Sequence, residues 1–208
     1  MPLARKLPIV EHGFDTRLRV RRYAGSKSAK ETIMATKTEK RSSNGSATTV
    51  RFATKIDVPV DTRDKINAIL NQQLADTADL ASQIKHAHWN VKGKDFYQLH
   101  LLFDTFAECA LGWADEIAER IATLGGYAKG TVRMAAGASR LDEYPTEAID
   151  GPEHVRALVE AYANYCATTR AAIDATDKLG DPTTADLLTE VSGDADKNLW
   201  FLEAHLQA

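Results

Sequence analysis

The sequence predicts an all-α protein: a four-helix bundle with one long crossover between its second and third helices, preceded by a disordered basic arm. Three observations carry that expectation. Four long stretches place apolar residues at helical spacing between helix-start and helix-stop signals. Two of the three connections between them are short, as antiparallel neighbours require, whereas 125–149 is too long for a tight turn. Charge also divides the chain: residues 1–56 carry 13 Lys/Arg against 4 Asp/Glu, and residues 57–208 carry 13 against 25.

The arm comes first, over residues 1–56. Its Ser, Thr and Gly content and its net charge of +9 offer no apolar face to bury, so no packed structure is expected there. Arg5, Arg17, Arg19, Arg21 and Arg22 give it the Arg bias of a transit peptide, but Glu11, Asp15 and Glu31 run against that reading. Met34 opens MATKTEKRSS and is a second candidate start. An arm beginning there keeps Lys37, Lys40, Arg41, Arg51 and Lys55 against the single acid Glu39. Bases on a flexible segment can neutralise phosphates without reading a base sequence.

The bundle domain is expected over residues 57–208. Its first helix runs from about Thr62 to Asn90 by its periodicity, with Asp61 as N-cap and Gly93 beyond its end. The second runs from about Asp95 to Leu124 and stops at Gly125-Gly126. A short helix inside 125–149 would break up the crossover. The third opens at Asp150-Gly151-Pro152 and ends at Gly180. The fourth opens at Asp181-Pro182, with proline at the first helical position, and continues to about Leu206.

With 208 residues and 44% hydrophobic content, one domain with a sizeable core is the natural outcome. No apolar run reaches the ~18 residues of a membrane-spanning helix, and the N-terminus lacks the apolar stretch of a secretory signal. Cys109 and Cys166 both fall in helical patterns and read as small buried residues, not as a disulfide framework. A reducing cytoplasm fits.

The second helix carries the chemistry. His100/Asp104 and Asp115/Glu119 are each i,i+4 pairs, and on a helix each pair shares a face. At roughly 100° per residue the four lie near 0°, 40°, 60° and 100°, a single stripe. Yet Asp104 and Asp115 stand about 16 Å apart along the axis, too far for one metal ion. The stripe therefore holds half of one site at each end. Phe96, Leu99, Phe103, Phe106, Ala110, Ile117 and Ile121 form the neighbouring sector, the face expected to pack on the chain's own core. A second subunit meeting this helix antiparallel across a two-fold axis would set His100/Asp104 against Asp115/Glu119, twice over. Imidazole with carboxylate is a ligand mixture suited to iron. His88, just before Trp89, adds a fifth ligand type, whereas His86 points about 200° away on a helix.

The spacing H-x11-H-x3-D-x10-D-x3-E, with Trp89 beside the first histidine, resembles the ferroxidase signature of the Dps family. That family comprises ferritin-like proteins that protect DNA during starvation and oxidative stress. HAHWNVKG, LHLLFDTF, DEIAERIATLGG and the closing GDPTTADLLTEV…DKNLWFLEAHLQ also resemble it, so that the likeness covers about Asp61 to Gln207.

The resemblance implies a ferritin-like bundle and a ferroxidase that oxidises Fe2+, preferably with hydrogen peroxide, storing ferric mineral in a hollow homododecamer. His88, His100 and Asp104 of one subunit would face Asp115 and Glu119 of a two-fold neighbour. Trp89 is a candidate radical sink, or simply a large residue packing the interface. Asp181, Asp186 and Glu190 would line an iron-entry pore where three copies meet, although a helix N-terminus favours acids in any case. The family also implies a cytoplasmic, nucleoid-associated protein that binds DNA non-specifically, here through Lys37, Lys40, Arg41, Arg51 and Lys55 by avidity. The alternative is a nucleoid-compacting protein whose metal site is weak or vestigial.

Overall fold

The computed structural model of the protein describes residues 50–207. Lys37, Lys40 and Arg41, and with them most of the expected arm, lie outside the described residues. Five helices follow in order: α1 (Val60–Asn90), α2 (Phe96–Thr123), α3 (Val132–Ala138), α4 (Gly151–Lys178) and α5 (Pro182–Ala204). Against α1 pack α2, α3 and α4, while α5 closes the bundle on α4 and α2. The short helix expected within the crossover is α3.

Local chemistry sets the ends of these helices. At the start of α1 the expectation of an Asp61 cap fails. Pro59 occupies the N-cap position without a side-chain cap, and its carbonyl accepts from Arg63 N at 2.9 Å. Proline's restricted φ already sets the entry angle, and Asp61 falls inside the first turn, where the macrodipole favours an acid. α4 opens with a full capping box between Asp150 and Glu153. Asp181 caps α5 by accepting from Thr184 N. α2 and α4 both terminate in Schellman motifs. Gly126 N bonds to Ile121 O and Gly125 N to Ala122 O; Asp181 N and Gly180 N repeat the pattern on Thr176 and Asp177. Gly125 and Gly180 hold the left-handed conformation that this requires, at φ 75° and 80°.

Two apolar clusters make the core. One runs through Leu80, Ile84, Phe103, Phe106, Leu158 and Tyr162, the other through Ile66, Leu70, Ile117, Ile121 and Leu188. Between them lies a buried polar layer: Gln73 donates to Thr169 at 2.6 Å, and the Thr77 and Tyr165 hydroxyls bond at 2.8 Å. The core face of α2 is as expected for Leu99, Phe103, Phe106, Ala110, Ile117 and Ile121. Phe96 is the exception: it is 40% exposed, and its ring lies 5.2 Å from that of His100. Trp113, just outside the expected sector, is buried and stacks on Tyr165. Cys166 is buried and free; Cys109 is free but only partly buried.

The crossover is tied to α1. Asp76 accepts from Arg140 N at 2.8 Å and from its guanidinium at 2.9 Å, and Asp79 accepts from Ser139 at 2.6 Å. Residues 50–59 also lie against the bundle. Phe52 N donates to Gly125 O at 2.8 Å, Arg51 pairs with Asp64, and Arg63 bonds the carbonyls of Val58 and Leu124 at 3.0 Å each.

Candidate metal centre

The end of α1 and the first half of α2 come together around His88 and His100. Their rings stack with centroids 3.8 Å apart, inclined by 20°. Each ring is held by the other's backbone: His88 Nδ1 lies 2.8 Å from His100 O, and His100 Nδ1 lies 2.9 Å from His88 O. A carbonyl can only accept, so both Nδ1 atoms carry the proton. In its neutral form an imidazole so held has its lone pair on Nε2, the nitrogen that can bind a metal. This reciprocal bonding fixes the orientation and tautomer of both rings, as carbonyls behind metal-binding imidazoles commonly do.

Asp104, one turn beyond His100, sits 3.9 Å from His88 Nδ1 and is paired with Lys85. The hydrogen bond from Lys85, with its charge, outweighs the opposing effect of burial and holds the Asp104 carboxyl below its usual range. Sequence reasoning missed Lys85. Its spacing of three before His88 on the same helix was the available signal.

Asp115 and Glu119 are exposed farther along α2, and among the described residues neither carboxylate has a hydrogen-bond or ion-pair partner. Among those residues no three His, Cys, Asp or Glu side chains converge closely enough within one chain to hold a metal. One subunit thus presents two separated halves. Large apolar side chains stand exposed on the same stretch: Tyr97 at 67%, Leu101 at 46% and Leu111 at 56%, with Trp89 at 66% beside His88.

The other expected residues are placed as follows. Asp181 is buried, capping α5 and accepting both 2.9 Å bonds of the Arg120 guanidinium. Burial pushes its carboxyl up, but the bonds from Thr184 and Arg120 outweigh that and leave it lowered. Asp186 and Glu190 are exposed. Lys55 is exposed, and Arg51 is engaged with Asp64. A cavity of about 590 Å³ lies between α1 and α3 and is lined by none of the candidate ligand residues.

A bundle of four long helices with a short helix in the crossover is the architecture of a ferritin-like protein, and a family model described as a ferritin-like domain matches residues 67–208. The chain belongs to the Dps family, the DNA-protection-during-starvation proteins. It is 45% identical over 154 residues to the DNA protection during starvation protein of Agrobacterium fabrum, covering 74% of this chain and 95% of that one. The protein of the same name from Mycolicibacterium smegmatis is 38% identical over 140 residues, 67% of this chain and 76% of that one. Among solved structures, the tetragonal form of Mycobacterium smegmatis Dps matches with a TM-score of 0.72 at 34% identity, covering 76% and 94% of the two chains. Dps from Vibrio cholerae O1, described as a member of a broad superfamily of ferritin-like diiron-carboxylate proteins, matches with a TM-score of 0.70 at 26% identity, covering 74% and 97%.

Proposed function

We propose that the protein oxidises Fe2+ at sites completed by a second copy of itself, stores the ferric product in a hollow twelve-subunit shell, and so protects DNA. The observation that carries this reading is the exposed stripe of α2, where Tyr97, Leu101 and Leu111 alternate with His100, Asp104, Asp115 and Glu119. Exposed apolar side chains interleaved with ligand-type residues, of which Asp115 and Glu119 have no partner among the described residues, are expected of a face that another subunit covers. The pairs His100–Glu119 and Asp104–Asp115 share a midpoint, between Cys109 and Ala110. A two-fold axis there brings both pairs together at once. Gly112, close to that midpoint, has open space where a Cβ would stand, so the backbones can approach.

In this reading Fe2+ is the substrate. His88 and His100 supply Nε2 lone pairs, Asp104 supplies carboxylate oxygen, and Asp115 and Glu119 of the partner subunit complete the set. Lys85 must leave Asp104 as the metal arrives, so its ammonium holds the carboxylate in place until then. Hydrogen peroxide as oxidant takes one electron from each of two Fe2+ ions, which removes both reagents of hydroxyl-radical formation together. The net charge of −12 over residues 57–208 favours Fe2+ near the shell. Asp186 and Glu190 are the residues free to line an entry pore, since Asp181 is engaged within its own subunit. Trp89, exposed beside His88, serves as interface packing and as a sink for stray one-electron oxidation. Direct, non-specific DNA binding belongs to the basic residues before the bundle, Lys37, Lys40 and Arg41 with Arg51 and Lys55.

The test is Asp115→Ala with Glu119→Ala. Fast Fe2+ oxidation by peroxide is expected to disappear while native mass spectrometry still finds the assembled shell. Undiminished oxidation in that variant places the chemistry elsewhere and overturns the reading. The competing reading, DNA compaction with a vestigial metal site, is supported instead if the unmodified protein shifts DNA without turning over Fe2+.

A further inference from the structure

His86 takes no part in the ligand set, and its ring is used differently. It meets Tyr144 edge-on with centroids 5.0 Å apart. The Tyr144 hydroxyl in turn lies 2.6 Å from His154 Nδ1. His154 is fully buried in the first turn of α4, and among the described residues its Nε2 has no hydrogen-bond partner. Burial, with the charges of His86 and Lys92, holds the imidazole below its ordinary value against the opposing pull of Glu153 and Asp150. It is therefore neutral near pH 7. Burial raises the Tyr144 phenol well above its usual range, so the phenol keeps its proton and donates it towards Nδ1. The arrangement is a half-buried phenol that donates to a neutral, fully buried base, on a ring packed against the helix end that carries His88. The phenol is the partner that the structure gives this imidazole; a phenylalanine at 144 would fill the space but leave Nδ1 as unpartnered as Nε2.

We propose that Tyr144 and His154 form a proton-coupled redox pair that intercepts one-electron oxidants released when Fe2+ meets peroxide. This rests on the iron-oxidising reading for its source of oxidant. Tyr144 gives one electron to a hydroxyl radical, which becomes hydroxide. The phenolic O–H bond breaks and an N–H bond forms at His154 Nδ1, leaving a neutral tyrosyl radical and an imidazolium. A further Fe2+ returns the electron and becomes Fe3+, and the proton goes back from His154 to the phenol. The net change is hydroxyl radical and Fe2+ converted to hydroxide and Fe3+, with the protein restored.

Because iron is needed only to generate the oxidant, the pair is tested without it. Full-length protein is oxidised by photogenerated tris-bipyridyl ruthenium(III), and radicals are trapped by freezing for high-field electron paramagnetic resonance. The expected result is a tyrosyl signal with the g-shift of a hydrogen-bonded phenoxyl, absent in Tyr144→Phe, a variant that keeps the ring and its packing. In His154→Gln the phenol remains but its oxidation slows on the order of a hundredfold, the usual worth of a positioned base. An unchanged hydrogen-bonded signal in Tyr144→Phe, or an unchanged rate in a His154→Gln protein with a normal melting curve, overturns the proposal. A separate Fe2+-oxidation assay keeps the two readings apart: loss of iron turnover with the photochemical signal intact removes the function proposed above and leaves the pair standing.

Discussion

At the scale of single residues, the site is a competition for one carboxylate. Lys85 pairs with Asp104 in the isolated subunit, and an exposed pair of this kind is weak and easily displaced. Lys85→Ala is expected to tighten Fe2+ binding about two- to fivefold, the scale of a lost surface ion pair. Titration calorimetry under anaerobic conditions reads this, and weaker binding in the variant would mean that Lys85 supports the site. Asp181 is the contrasting case, a buried carboxylate holding Arg120 and a helix cap together. Asp181→Ala is expected to cost about 3 kcal/mol, since it strands a largely buried guanidinium and removes a cap; denaturant melts measure it.

Two titrations at this scale set the pH behaviour. His154 is lowered by burial. Its unfolded form takes up a proton below about pH 6.5 while the folded form does not. Stability is therefore full above that value and falls as the pH drops towards the folded value. Asp181 and Asp104 are also lowered, so their contribution persists until the pH falls below the ordinary carboxylate range. The expected acid profile has two steps, and His154→Phe should flatten the upper one in melts taken from pH 7 to pH 5.

At the scale of elements, the junction after α2 matters most for how the chain enters the bundle. Gly125 has φ 75°, and a Cβ there would stand 2.5 Å from Phe52 O. Gly125→Ala is expected to destabilise by roughly 1–3 kcal/mol and to free residues 50–59 from the bundle. Limited proteolysis should then cut before α1 much faster than in the parent; an unchanged pattern would show that the segment is held by Arg51 and Arg63 alone.

For the whole molecule, the charge asymmetry and the stripe on α2 combine into one expectation. Many copies assembled through that stripe present many basic arms at once, so DNA affinity should come from avidity and fall steeply with salt. A gel shift at two salt concentrations, comparing the full chain with one lacking residues 1–49, checks it. Loss of the shift on truncation supports the arm, and a retained shift assigns DNA binding to Arg51, Lys55 or the bundle surface.

Read by itself, the sequence determined the helices and the crossover, and it singled out the candidate ligand residues. These depend on periodicities and stop signals within a few residues of one another, such as Gly125-Gly126 and Asp150-Gly151-Pro152. It also separated the ligand stripe from the core face, because helical geometry converts spacing into angle. The tertiary structure alone decided the rest. Asp181 is engaged by Arg120, some sixty residues away in sequence. The ring nitrogens of His88 and His100 are sorted by carbonyls from the opposite helix, and Lys85 reaches a carboxylate on that helix. Tyr144 finds His154 only because the crossover folds back onto α4. Partners brought together by packing leave no local periodicity to read, and they set which lone pairs and carboxylates are free to do chemistry.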